Sequence, residues 1–425
     1  MAGDGQGEAP DTSGGGEKAR LITLDFVRGV AVLGILYANI VAFSQPMLAA
    51  AWPPALGEPM RGTDRLAWLF QFLVIDGKMR GLFAILFGAG LVLFTEAKGD
   101  GLQWRRLMFL GLFGLLHYFL LFRGDILFSY AVCGMIVLGL GAHRMAAPPA
   151  LALGIVTYLA GGALMGLPFL NAVWTEQEVL AACADLARCA GDGMADAYRA
   201  DIAHTLRDAA QETAVMRSGL GTILAYNFGE EASGTIWGAI LSLFESLPSM
   251  LIGIGLYRAG LFNGQAGKRT LQWGLAGIAL GLALTWPMAL MLMRANDPYY
   301  LSLFFVLGPA QDARLPMIFG LLAVLVWLAP RMAPGWLGQR LIAAGRMAFS
   351  NYIGMSLVMA IVFQGWGFGL FGELGRTEML VPVVLGCCAM LLWSKPWLDR
   401  FAYGPLEWVW RCCTYGRIFP LKRAR

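Results

Sequence analysis

Charge is scarce in this chain. Lys, Arg, Asp and Glu together make up 14% of 425 residues while apolar residues make up 58%, against about 25% charged and 45–50% apolar in a soluble domain. So few charges cannot coat a water-soluble fold of this size, which excludes an ordinary soluble enzyme. A concentrated basic face is also missing. The 32 Lys and Arg, set against 28 Asp and Glu, are scattered through short loops, and this excludes nucleic acid as a partner. The seven cysteines form no CxxC pair and no metal-ligand spacing with the three histidines, so neither a metal nor a bound cofactor is expected. The first twenty residues lack the apolar core of a signal peptide and read as a disordered tail, 1–20. What remains is an all-α polytopic membrane protein whose main partner is the lipid bilayer.

Apolar runs of about 20 residues, the length that crosses a bilayer, fall near 21–43, 79–97, 104–122, 125–142 and 148–170. A second group falls near 236–257, 270–293, 300–330, 347–370 and 378–398. Ten crossings within a helical bundle over 21–400 are therefore expected. Lys98, Arg105, Arg106, Arg144, Arg258, Lys268, Arg269, Arg331, Arg340 and Arg346 alternate between loops so as to place both termini in the cytoplasm by the positive-inside rule. Residues 172–235 then form a helical extracytoplasmic insertion with an acidic bias that includes Glu176, Asp185, Asp201, Asp208 and Glu212. Within it, Cys183 and Cys189 face an oxidising compartment and are a candidate disulfide. The segment 401–425, with Trp408, Trp410, Arg411 and Arg417, reads as an amphipathic basic tail on the inner leaflet.

Two runs are irregular. Asp76, Lys78 and Arg80 interrupt the first, which suggests an interfacial helix over 66–75, a span starting at Met79 and charges at the outer boundary. Pro309, Gln311, Asp312, Arg314 and Pro316 interrupt the second. A backbone broken at membrane depth survives only where protein or water satisfies it, so this break is a candidate cavity wall.

Ionisable groups inside spans are functional candidates by default. Asp25 and Arg28 are three apart and share a helix face, either as a buried pair or as a helix start with a snorkelling arginine. Asn39 and Asn351 are polar groups within spans, suited either to interhelical hydrogen bonds or to a cavity wall. His117 is the one histidine expected inside a span, and its side-chain chemistry suits general acid/base work near neutral pH. Only Arg123 and Gly124 separate the end of its apolar run from Asp125. His117, Arg123 and Asp125 are therefore expected to line one outward pocket shared with Lys78 or Arg80, with His117 as base and Asp125 as its orienting partner. Arg106 lies on the opposite side with Arg28.

The motifs LDFVRGVAVLGIL (Leu24 to Leu36), LFAILFGAGL (Leu82 to Leu91), GLLHYFLLFRGDILFSYAVCGMI, GRMAFSNY and GPLEWVWR, in this order, resemble the YeiB family of bacterial inner-membrane proteins, a domain of unknown function. That family is similar to transmembrane acyltransferases, among them the OafA-like O-acyltransferases and the lysosomal heparan glucosaminide N-acetyltransferase. The resemblance implies a bundle of about ten helices in the bacterial plasma membrane. It also implies transfer of an acyl group from cytoplasmic acyl-CoA, as co-substrate, to a small-molecule or glycan acceptor on the other face. Asp25 and Arg28 match the first-span motif of those enzymes, whereas the histidine they carry in or after that span has no counterpart in Asn39 to Pro46. Two other classes fit the same residues: a transporter or export component, and a non-catalytic scaffold or sensor. Each is compatible with a homo-oligomer.

Overall fold

The computed structural model describes residues 12–57, 60, 62–183 and 192–423. Among them the chain is all-helical and contains no named strand. Before the insertion come α1 (Thr12–Ser44), α2 (Thr63–Phe70), α3 (Lys78–Lys98), α4 (Asp100–Leu120), α5 (Leu127–Gly139) and α6 (Ala147–Gly166). The insertion holds α7 (Leu170–Ala182), α8 (Gly193–Met216) and α9 (Leu220–Phe228). After it come α10 (Gly234–Arg258), α11 (Lys268–Ala295), α12 (Tyr299–Leu307), α13 (Pro309–Met332) and α14 (Trp336–Arg346). The chain closes with α15 (Ala348–Phe363), α16 (Leu380–Arg400) and α17 (Pro405–Tyr415). In a medium without water the helix satisfies its own backbone, which is why the apolar runs take this form.

Seven of the described helices are long and apolar enough to cross a membrane, or eight if α14 and α15, bent by 84° at their junction, make one span. The count of ten differs because two expected spans fail on composition or length. α4 carries Asp100, Arg105 and Arg106, and α5 has only 13 residues. The two nevertheless pack against each other as a hairpin. Arg105 at the start of α4 donates to the carbonyl of Cys413 in α17, and the chain after α5 returns to Asp100 through His143.

α1 begins at Thr12, inside the stretch expected to be a disordered tail, because a helix already nucleated in the apolar span propagates backwards at little cost. The insertion is helical as expected. Cys183 is buried and disulfide-bonded, while Asp185 and the expected partner Cys189 lie outside the described residues.

Glycines let the central helices touch backbone to backbone. A Cβ on Gly88 of α3 would stand 2.1 Å from the Met250 carbonyl oxygen of α10, and one on Gly253 of α10 would stand 2.0 Å from that of Ile85. The same reciprocal approach joins α1 to α14, where Gly29 meets the carbonyl of Leu341 and Gly345 that of Asp25. Such contacts replace the missing hydrophobic drive between helices in lipid with close packing.

The irregular runs break where expected. Residues Gln71–Ile75 form a π-helical turn, Gly77 takes φ 72°, and α3 restarts at Lys78. Of the charges there, Lys78 is fully buried in the protein and donates to the Phe72 carbonyl at 2.5 Å. A buried ammonium needs an acceptor, and the π turn frees one. Gly308, with φ −107° and ψ −102°, separates α12 from α13.

Replacement of Gly345 by Val is expected to force α1 and α14 apart, because its Cβ would lie 1.9 Å from the Asp25 carbonyl oxygen. The cost is about 1–3 kcal/mol or more in an unfolding titration in mixed micelles. Gly354→Ala on neighbouring α15, where a Cβ meets nothing within 4 Å, should leave stability unchanged.

Candidate functional site

The corner between α4 and α5 is held by one carboxylate. Asp125 Oδ2 accepts the Phe128 amide at 2.8 Å and so satisfies one of the free N–H groups at the start of α5. Its other oxygen, Oδ1, lies 2.8 Å from His117 Nδ1. An ionised carboxylate only accepts, so the imidazole proton belongs on Nδ1 and the lone pair on Nε2. That Nε2 is buried and has no hydrogen-bond partner. The His117 ring packs against Tyr352 at 5.0 Å and Phe122 at 6.0 Å, and the Tyr352 hydroxyl accepts the Ile126 amide at 3.4 Å. An oriented histidine with a free, desolvated nitrogen has the arrangement of a general base.

The wider pocket expected at this corner does not form. Arg123 turns to Glu212 of α8 and, at 3.5 Å, to Glu231, and its guanidinium lies over the Tyr226 ring. Glu212 also accepts the Met47 amide, so Arg123 fastens the insertion to the bundle. Arg80 pairs with Glu245 of α10 at 2.5 Å, and Lys78 is occupied by Phe72. Each cation has found a carboxylate or carbonyl nearer than Asp125.

On the far side of Tyr352 a cavity of about 250 Å³ opens between α1, α3, α4, α5, α14, α15 and α17. Three arginines, Arg28, Arg106 and Arg346, lie on its wall. Arg28 pairs with Asp25 at 2.8 Å. Arg106 is sandwiched between Phe94 and Trp410, at 4.7 and 4.5 Å. Gln103 is buried, with Oε1 unpartnered. The shaft beyond is aromatic and aliphatic, and Tyr130 and Tyr352 stand at the inner end. Glu407, also on the wall, accepts the Phe349 and Ser350 amides at 2.9 and 3.1 Å as well as the Ser350 hydroxyl, tying α17 to the start of α15. Burial pushes its carboxyl above the ordinary 4.5, and the hydrogen bonds offset this only in part.

The remaining expected residues lie elsewhere. Asn351 is fully engaged: its amide donates to the Ala344 carbonyl and Ser394, and its oxygen accepts from Trp393 at 2.8 Å. Asn39 borders, with Asn351, a void of about 10 Å³, too small for any ligand. Asp312 lines a separate groove near the Gly308 break. Arg346, Gln103, Tyr352 and Glu407 escaped assignment although GRMAFSNY and GPLEWVWR contain three of them. Only the fold brings those motifs against α4.

A family model described as "Protein of unknown function (DUF418)" matches residues 256–417. The chain is 30% identical over 413 residues to "Uncharacterized protein YeiB" of Escherichia coli (strain K12), an alignment covering 94% of this chain and 98% of that one. It is 29% identical over 427 residues to "Uncharacterized protein YxaH" of Bacillus subtilis (strain 168), covering 95% and 96%. No solved structure matches.

Because Glu407 holds its proton more tightly in the folded protein, stability is expected to fall as pH rises from 4.5 through the raised folded value. Glu407→Gln should flatten that slope in melting curves recorded across pH 4.5–8, and an unchanged slope would assign it to another group.

Proposed function

The chain belongs to the YeiB family of membrane proteins of unknown function, and from that premise we propose that it is a transmembrane acyltransferase using an acyl-CoA donor. The observation that carries the reading is the alignment of three parts: an arginine-lined cavity, an apolar shaft, and a histidine–aspartate pair one aromatic ring beyond its end. The donor's phosphates meet Arg28, Arg106 and Arg346, and its acyl group lies in the shaft. The acceptor is a small molecule or glycan arriving from the insertion side. Its hydroxyl or amine gives a proton to His117 Nε2 and attacks the thioester carbonyl. The C–S bond breaks, and the coenzyme thiolate takes the proton from the imidazolium, which Asp125 stabilises meanwhile. In this reading both termini lie in the cytoplasm of a bacterial plasma membrane.

Transport is the second reading, favoured by the broken α12–α13 segment beside Asp312, since discontinuous helices also mark substrate paths. Dependence on a proton gradient separates the two.

Purified protein in nanodiscs, given acetyl-CoA and longer acyl-CoA species with an envelope extract as acceptor source, should release free thiol saturably. Arg106→Ala is expected to raise KM by roughly 10- to 150-fold, as loss of a charged contact worth roughly 1.5–3 kcal/mol predicts. His117→Gln should lower kcat by a factor on the order of 10²–10⁴ while leaving donor binding intact. No thiol release with any donor, or full activity in His117→Gln, would overturn the reading.

A further inference from the structure

A second hollow, about 730 Å³, lies between α6, α11, α12 and α13, away from the arginine-lined cavity. Leu159, Leu284, Met288, Phe304 and Phe319 typify its wall, and Asp312 is the only ionisable residue lining it among the described residues. The backbone break at Gly308 and the bare Gly162 and Gly166 of α6 make room for it. A Cβ on Gly162 would stand 2.1 Å from Asp312 Oδ1, and one on Gly166 would stand 3.2 Å from the Gly308 Cα. Asp312 Oδ1 is buried with no hydrogen-bond partner. The one cation nearby in sequence makes no hydrogen bond to it: Arg314 donates to the Val306 carbonyl at 3.0 Å and lies against Gly77.

A carboxylate left without a hydrogen-bond donor on the wall of an apolar hollow is costly unless something donates to it. The wall dictates what that is. Its apolar surface suits a hydrocarbon chain, and its single carboxylate needs a donor. Ammonium-bearing membrane lipids carry a phosphate a few atoms from the nitrogen, and no Lys, Arg or His lines the groove to meet it. We infer that this groove is a binding site for a neutral, hydroxyl-bearing lipid of the diacylglycerol or long-chain alcohol class, with its hydroxyl donating to the Asp312 carboxylate. The site is separate from the proposed acyl-transfer chemistry and does not rest on it.

The test uses the full chain in phosphatidylcholine nanodiscs with a diazirine-bearing diacylglycerol as probe, and the labelled peptides are mapped by mass spectrometry. Labels are expected within 159–170 and 304–319. Unlabelled dioleoylglycerol should compete at least tenfold better than its methyl ether, which keeps the chains and lacks the donor. Asp312→Leu, which removes the unpaired carboxylate, should keep the labelling and abolish the tenfold difference. Should that variant fail to fold, Gly162→Ala, which displaces the carboxylate while retaining it, gives the same readout. Equal competition by the ether in the unmodified protein would mean occupancy by bulk lipid only and would overturn the inference. So would labelling confined to other helices, or a difference that survives both variants. No thioester is present in the assay, so its outcome is independent of the acyl-transfer reading.

Discussion

A charge withdrawn from water must be met by the protein, and in this molecule that requirement is clearest in the bond between Asp125 and His117. An unpaired buried ion costs several kcal/mol, so a carboxylate at the end of α4 is tolerated only with both oxygens in use. One satisfies the start of α5 and the other holds the imidazole. The same rule accounts for several other charges of the bundle. Arg80 is matched by Glu245, Arg123 by Glu212 and Glu231, and the ammonium of Lys78 by a carbonyl freed at the π turn. Among the buried side-chain atoms left without a hydrogen-bond partner, three belong to residues that line or lie beside a space a ligand could enter: His117, Gln103 and Asp312.

Close helix packing sets where those spaces are. Gly88 against α10 and Gly345 against α1 leave no room between backbones, so the central seams are dry and narrow. The cavity occurs instead where α15, bent by 84° from α14, leans away and aromatic rings fill the gap incompletely. Glu407 then locks α17 over the opening by capping the first turn of α15. The groove at Asp312 has a different origin, a backbone break at Gly308 facing glycines on α6. One hollow is therefore lined by cations at its mouth, and the other has a single carboxylate on an apolar wall.

The sequence by itself determined the helical class, the two irregular runs and the corner of His117 and Asp125. Those features depend on apolar run length and on residues eight apart or fewer, distances over which the chain's own geometry dictates contact. The number of helices able to cross was less accessible, because α4 and α5 depart from the length and apolarity of a free-standing span and are held by their neighbours. Only the tertiary structure decided the partners of Arg80 and Arg123, which are 165 and 89 residues away in Glu245 and Glu212. It also decided that Arg28, Arg106 and Arg346 share one wall with Gln103 and Glu407, and that Asn351 is fully used by its neighbours. The reason is physical: a long cation reaches whichever acceptor helix packing brings nearest, and that packing is set by glycine contacts between segments far apart in the chain.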